Sequence, residues 1–254
     1  MGEVYRSDVI LAAFHGGLGD NLQFSTLPEE FHKQQGRDTY IWSQANFRNQ
    51  EIYDLVWGCN PYIKGIKDGT WTAGDTPEIG HKTLVSDCIS NWEALHGLEP
   101  TNKYPKIYYE PKKQYGFHNI VLVDLSSISI TYNSEKILEL YDSVKKSLKD
   151  THDDELSPLM FFGVEFTNKI KDATIIEPDV DNTIVIDDIF TYVDLIYSSL
   201  GVISLHSGQN HLASAIKNQY NKDLDIYCLM DDVEYQRQKK KGIFVFDNVT
   251  YLRY

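Results

Sequence analysis

The chain has 254 residues, 42% of them hydrophobic, and a formal net charge of -13. That length holds one large domain or two small ones, and the acidic balance argues against a nucleic-acid partner, whose phosphates need a basic surface. The three cysteines, Cys59, Cys88 and Cys228, are too scattered for a disulfide framework or a zinc site, and there is neither a signal-peptide core in Met1 to Asp8 nor a run of transmembrane length, so the expectation is a cytoplasmic protein with at most peripheral membrane contact.

The apolar run Val9 to Phe14 predicts a first strand. It leads into the glycine turn His15-Gly-Gly-Leu-Gly-Asp20 and then a helix from about Asn21 to Gln35, in which Pro28 implies a kink or a late start. Thr39 to Trp42 reads as the second strand, Arg48 to Trp57 as a second helix and Ile63 to Ile66 as a weak strand. Lys67 to Gly80, rich in Gly, Thr and Asp, reads as loop, and Leu84 to Leu95 as a helix ended by Gly97. Asn102 to Gln114 reads as a linker.

A second start follows at Asn119 to Leu125, then a loop Ser126 to Asn133 and a helix Ser134 to Lys149 with Ser134 as its N-cap. Leu159 to Phe162, Thr174 to Ile176 and Thr183 to Ile186 read as strands, Phe190 to Ser198 as a helix and Val202 to Leu205 as a strand. The loop His206 to Asn210 opens a helix His211 to Lys217, and Leu224 to Met230 and Ile243 to Phe246 read as late strands. The basic run Arg237 and Lys239 to Lys241 reads as a solvated loop.

Both halves are therefore βα repeats, which imply parallel sheets covered on both faces. The expected fold class is α/β, with two Rossmann-like domains facing a cleft, residues 1–115 and 116–254. Ligands in such sheets sit beyond the carboxyl ends of the strands. The loops to watch are His15–Asp20, Ser126–Asn133, Gly163–Lys169 and His206–Asn210.

Two of these loops carry chemistry. In the first, Gly17 and Gly19 allow a ligand to approach the backbone closely, and Asp20 is either a proton acceptor or a helix cap. Leu22 stands where a dinucleotide fingerprint needs its third glycine, and no acid ends the second strand. No Walker lysine follows either, so nicotinamide, flavin and P-loop chemistry are disfavoured. In the second loop, Ser207, Gly208, Gln209, Asn210 and His211 join a strand to an alanine-rich helix, whose free N–H groups suit a diphosphate. A capped βα turn is the plain alternative.

Taken in order, these motifs resemble the heptosyltransferase-like family 9 glycosyltransferases, which have the GT-B fold. The likeness rests on Gly19-Asp20 followed by Thr26-Leu27-Pro28, on Asn91 to Leu98, and on His206-Ser207-Gly208-Gln209-Asn210-His211-Leu212-Ala213-Ser214-Ala215. The resemblance implies that Asp20 is the general base that deprotonates the acceptor hydroxyl. It implies that Ser207, Gly208 and His211 clasp the donor diphosphate, with Ser126 and Ser127 offering hydroxyls to phosphate. By position, Glu165 would bind a ribose, Asp187 and Asp188 would lie near the nucleobase, and Lys136 would stand for the family's phosphate-binding lysine. His206 departs from the acid usual at the start of the signature.

The expectation is an inverting, metal-independent glycosyltransferase. It would move a sugar from a nucleotide diphosphate-sugar donor to a glycan or glycolipid acceptor, with no cofactor and no bound metal. The acidic neighbours Asp153-Asp154 and Asp231-Asp232 read as solvated loop. A nucleotide-sugar-binding module without catalysis and a sugar-nucleotide epimerase of the same fold remain as alternatives.

Overall fold

The computed structural model describes residues 8–75, 88–128, 131–152, 157–167, 173–241 and 244–254. The chain forms two compact units, Met1–Tyr109 with Lys240–Phe244, and Glu110–Lys239 with Val245–Tyr254. The first change of unit thus falls before Pro111, a few residues ahead of the expected division at 115.

The first unit holds a four-stranded sheet in the order β3-β2-β1-β4, from β1 Val9–Ala12, β2 Thr39–Trp42, β3 Ile63–Lys67 and β4 Ala73–Gly74. Every pairing is parallel. β1 is buried along its whole length, as its uninterrupted apolar sequence requires of a central parallel strand. The single helix expected from Asn21 is two: α1 Leu18–Leu22 and α2 Leu27–Gln35. Pro28 occupies the first turn of α2, where its missing N–H costs nothing, so the proline starts the second helix instead of kinking one long one. Gly36, in the left-handed region at φ 62°, closes α2.

Aromatic packing anchors α1. Phe24 lies 5.2 Å from Trp57 and 5.7 Å from Trp92 between ring centroids. The Trp57 indole donates to Asn21 Oδ1 at 2.9 Å and the Trp92 indole to Gln23 Oε1 at 3.1 Å. Trp57 is fully buried, so it is core and not a sugar platform. It belongs to a π-helical turn, Asp54–Gly58, that continues α3 Gln50–Tyr53. In α4, Cys88–Leu95, the fully buried Glu93 accepts from Thr26 Oγ1 at 2.8 Å, from the Thr101 amide at 2.7 Å and from Asn102 Nδ2 at 2.6 Å. A buried carboxylate is tolerable only with such a full set of donors, and this one ties the start of α2 to the chain after α4. The earlier part of the predicted helix Leu84 to Leu95 lies outside the described residues.

The second unit holds six parallel strands in the order β12-β11-β10-β5-β7-β9. They are β5 Ile120–Asp124, β7 Met160–Phe166, β9 Asn182–Ile186, β10 Gly201–Leu205, β11 Asp225–Met230 and β12 Thr250–Arg253. Numbered within the unit this is 3-2-1-4-5-6, the doubly wound Rossmann order. Helices α5 Ser134–His152, α6 Ile189–Ser198, α7 Gly208–Gln219 and α8 Asp232–Lys241, up to Lys239, complete it. Ser126–Ser127, expected in a loop, form β6 and pair antiparallel with β8, Thr174–Ile175.

Two late elements differ from expectation. The basic run is the end of α8, whose start is capped by Asp231 through the amides of Val233 at 2.8 Å and Glu234 at 3.1 Å. The acid pair at 231–232 is thus a helix start, with Asp232 bonded to Arg253 at 2.7 Å. The last strand is β12, whereas residues 244–246 are irregular and Phe244 has a positive φ of 59°. Among the described residues no helix is long and apolar enough to cross a membrane.

Candidate functional site

Each sheet has one place where the connections leave in opposite directions: between β1 and β4 in the first unit, between β5 and β10 in the second. Open α/β sheets bind ligands at such switch points, beyond the carboxyl ends of the strands.

In the first unit the chain turns sharply as it leaves β1. A Cβ on Gly16 would stand 2.8 Å from the Arg48 amide nitrogen, which donates to the Gly16 carbonyl at 3.0 Å. Gly17 is the N-cap of α1, so Asp20 is not the cap but the third helical residue. The Asp20 carboxylate folds back over Gly17: a Cβ there would lie 2.5 Å from Asp20 Oδ2 and 3.6 Å from Arg48 Nη2. Asp20 is half-buried, and no hydrogen bond or ion pair engages its carboxylate among the described residues. The second glycine of the pair, Gly19, lies inside α1 and is buried.

The side chain that organises this turn comes from the residue after β4, in a stretch read from sequence as loop. Asp75 is 6% exposed. Its Oδ1 accepts from the Phe14 amide at 2.6 Å, and its Oδ2 from the His15 amide and from His15 Nδ1, each at 2.9 Å. Burial pushes the Asp75 carboxyl above the usual carboxylate range, while these three donors pull it back. The other face of β4 is fixed by His96, whose Nε2 accepts from the Gly74 amide at 2.9 Å while Nδ1 lies 2.6 Å from the Trp92 carbonyl. A ring that accepts at one nitrogen and donates at the other is neutral, in keeping with the downward shift that burial gives it.

In the second unit β5 ends on Asp124, a buried acid that sequence reasoning missed. It accepts from the Ser126 hydroxyl at 2.6 Å and the Ser126 amide at 3.2 Å, and the Tyr192 hydroxyl lies 3.4 Å away. Burial raises its carboxyl above the ordinary range against bonds from Ser126, Gln209 and Tyr192. Gln209 Nε2 reaches Ser126 Oγ at 3.3 Å, and Gln209 Oε1 accepts from the Ser207 hydroxyl. Ser126, Ser207 and Gln209 are thus brought together at the switch point, all half-buried, with Gly208 at the first turn of α7. Asn210 is committed to the helix start, its Oδ1 accepting from the Ser207 amide at 2.9 Å. Ser127 is buried within β6.

His211 is placed differently from the expectation of a diphosphate clasp. Its ring is 2% exposed, with Nδ1 donating to the Ser207 carbonyl at 2.7 Å and Phe246 packed edge-on at 5.2 Å. Burial, helped by the His206 ring beside it, lowers the imidazole to about 3. It is therefore a neutral brace for the loop. The linkage has a definite sign: the folded value lies below the ordinary 6.5, so the unfolded chain takes up the proton first. Its contribution to stability is complete above about pH 6.5 and is lost as the pH falls towards 3. Thermal melts between pH 7 and 4 should show the midpoint of His211→Gln falling less steeply than that of the parent; parallel curves would contradict this account.

The remaining predicted residues do not join the cluster. Glu165 lies within β7, not after it, and pairs with Val185 in β9. Asp188 is the N-cap of α6, accepting from the Thr191 amide at 2.8 Å and the Thr191 hydroxyl at 2.9 Å, bonds that lower its carboxyl. Asp187 is exposed beside it. Lys136 pairs with Glu139 at 2.8 Å on α5. Asp153-Asp154 and the end of the loop Gly163–Lys169 lie outside the described residues.

No protein-family model matches the sequence, and no curated protein matches it. Solved structures do match in shape. The iron-containing dodecameric glycosyltransferase TibC from enterotoxigenic E. coli H10407 superposes with a TM-score of 0.60 at 15% identity, over 88% of this chain and 58% of its own. A family 9 glycosyl transferase from Veillonella parvula DSM 2008 gives 0.59 at 9% identity, over 100% of this chain and 87% of its own. The chain has the fold of the family 9 glycosyltransferases. The E. coli heptosyltransferase WaaC, solved with ADP-2-deoxy-2-fluoro heptose, shares this family 9 fold at a TM-score of 0.57 and 8% identity, over 97% of this chain and 93% of its own.

The chain spans 58% of the length of TibC, the iron-containing member of this set. Among the described residues no three His, Cys, Asp or Glu side chains gather where a metal could be held. Two Asp-x-Asp sequences do occur, a spacing that can signal a bound cation. In the first, Asp181 accepts from the Phe161 amide at 2.7 Å and Asp179 pairs with Lys145 at 3.2 Å; in the second, Asp225 lies 3.8 Å from His152.

Proposed function

We propose that this chain is an inverting glycosyltransferase that moves a sugar from a nucleotide diphosphate-sugar to a glycan or glycolipid acceptor. The observation that carries the reading is the Ser126–Gln209–Ser207 cluster at the switch point of a Rossmann-ordered sheet. Hydroxyls, a carboxamide and the free amides of a helix start are neutral donors, which suit a diphosphate without demanding a basic surface. The second unit would hold the donor there. TibC and WaaC, whose folds this chain shares, have been solved with ADP-D-beta-D-heptose and with an ADP-heptose analogue, which makes ADP-sugars the first donors to try.

The first unit would hold the acceptor beyond the carboxyl end of β1, beside the turn that leads to Asp20. In this reading Asp20 is the general base. Its carboxylate, free of protein hydrogen bonds among the described residues, accepts the hydroxyl proton as the acceptor oxygen attacks the anomeric carbon and the diphosphate leaves with the bonding electrons. In this reading the helix start at Gly208 would stabilise the charge on the departing oxygens.

Binding is the direct test. A nucleoside diphosphate that occupies the folded protein alone stabilises it by about 2.7 kcal/mol at a hundredfold excess over its Kd. The thermal midpoint should therefore rise with a millimolar ADP-, UDP- or GDP-sugar more than with a CMP-sugar, which carries a single phosphate, and Ser207→Ala with Gln209→Ala should reduce the rise. If no sugar nucleotide shifts the midpoint, the donor site is misassigned.

A further inference from the structure

Asp124 lies beneath the cluster assigned to the donor, and nothing in the reading above uses it. Its side chain is buried, the residue 2% exposed, whereas Ser126, Gln209 and Ser207 are half-buried. The four side chains form one continuous run of hydrogen bonds, and the run has a direction. The Ser207 hydroxyl donates to Gln209 Oε1, Gln209 Nε2 donates to Ser126 Oγ at 3.3 Å, and the Ser126 hydroxyl donates to Asp124 Oδ1 at 2.6 Å. An ionised carboxylate only accepts, so it fixes that direction. Every side-chain proton in the run then points inward. Ser207 keeps its own within the protein, with the Leu205 carbonyl 3.2 Å away as a second acceptor. What these side chains turn outward is lone pairs, which repel phosphate oxygens. The amides at the start of α7 donate in either state.

The same three contacts serve equally in reverse. A neutral Asp124 donates to Ser126 Oγ, Ser126 donates to the oxygen of a Gln209 carboxamide turned through half a circle, and Gln209 Nε2 donates to Ser207 Oγ. The Ser207 hydroxyl is then released to donate outward. Among the described residues no lysine or arginine bonds to any of the four side chains, and Lys136 is paired with Glu139 on α5. The groups packed about Asp124 supply no cation either. From α6 comes Tyr192, whose hydroxyl burial and the carboxylate itself hold protonated. Phe166 of β7 packs edge-on to that ring at 5.2 Å, and Ser204 stands opposite Asp124 in β10. The Ser207 loop adds His206 and the neutral His211. A diphosphate at this cluster therefore faces a buried carboxylate with no counter-ion, and like charges so placed are relieved by taking up a proton. Burial already raises the Asp124 carboxyl above its ordinary range.

We propose that the donor diphosphate binds together with a proton taken up by Asp124, and that Asp124 is the positioning residue that decides which way the Ser207 hydroxyl points. The inference rests on the donor-site reading and adds a condition to it. The proton comes from solvent and returns there when the nucleotide leaves. The occupied protein holds the proton more tightly than the empty one. Affinity is therefore greatest at low pH and weakens as the pH rises between the two values, by up to about tenfold per pH unit.

Calorimetric titration with ADP-glucose, UDP-glucose and GDP-mannose, in buffers of different ionisation enthalpy, counts the protons. All three are diphosphate diesters with no proton of their own to exchange near neutral pH. Between about pH 5 and pH 9, the range open to a buried carboxyl, the parent should take up as much as about one proton per nucleotide bound. The infrared difference spectrum should gain the carbonyl stretch of a neutral carboxylic acid. Asp124→Asn, whose amide nitrogen donates to Ser126 as the neutral acid would, should bind with no net uptake and a Kd flat in pH, tighter than the parent's at the alkaline end. Binding by the parent without uptake anywhere in that range, or uptake that persists in Asp124→Asn, overturns the inference and leaves the donor site standing. The parent's calorimetry and infrared spectrum decide without the variant, should it fail to fold. A parent that binds none of the three nucleotides overturns the donor-site reading and this inference with it.

Discussion

Replacing Gly74 with alanine should leave the first unit unable to hold its fold. Gly74 has a φ of 106°, and a Cβ there would stand 2.0 Å from the Ala12 carbonyl oxygen and 2.8 Å from the Ala12 nitrogen. Both are backbone atoms of the buried central strand, so neither moves without parting β4 from β1. The pairing at stake is short, Leu11 with Ala73 and Ala12 with Gly74. Loss of a strand position under backbone collision belongs to the rare class that costs more than about 4 kcal/mol, against a total stability of about 5–15 kcal/mol for a typical domain. Gly36→Ala is the control. It too has a positive φ, 62°, but nothing lies within 4 Å of its Cβ, so only the left-handed strain of about 1–2 kcal/mol applies. Thermal melts and far-UV spectra of the two variants should differ sharply. A Gly74→Ala protein melting within a few degrees of Gly36→Ala would mean that β4 is not fixed as described.

Asp20→Ala should lower turnover by at least about 10²-fold, the usual contribution of a general base. Its side chain is engaged by no other group among the described residues, and the helix it sits in is anchored by Asn21 and Gln23 through two tryptophans. Stability should therefore change little, and the midpoint shift caused by a sugar nucleotide should survive. A variant that keeps a tenth or more of the parent rate would remove Asp20 from the chemistry altogether.

Much of the architecture could be read from period and punctuation. β1, β5 and β10 are unbroken apolar runs because central parallel strands are buried on both faces, and α5 announced itself by its one apolar face, although its cap is Asn133, whose Oδ1 accepts from the Lys136 amide at 3.2 Å, and not Ser134 as expected. What escaped was short or was decided by distant partners. β4 has two residues, too few to show any alternation, so the carboxylate that follows it looked like part of a loop. Asp124 gave no signal because an acid closing a strand looks the same in sequence whether it faces water or the Ser126 hydroxyl. α8 carries so many charges that its charge run outweighed its helical spacing. The loop motifs at Asp20 and Ser207 were visible; which of their side chains were already engaged in holding the loop, as His211 and Asn210 are, could be learned only from the contacts.

Strand order leaves the chain with an internal symmetry. β1, β2, β3 and β4 are arranged as β5, β7, β9 and β10 are, first strand beside fourth, then second and third. Position for position, the segment after β1 answers to the segment after β5, and Asp75 answers to the start of the His206 loop. One scaffold has thus been furnished twice. In one copy the carboxyl end of the sheet carries hydroxyl and carboxamide groups at a helix start, neutral partners for an anion; in the other it carries carboxylates, an imidazole and a guanidinium. Exchanging the two short segments of one half for those of the other would be expected to exchange these preferences while leaving both sheets intact.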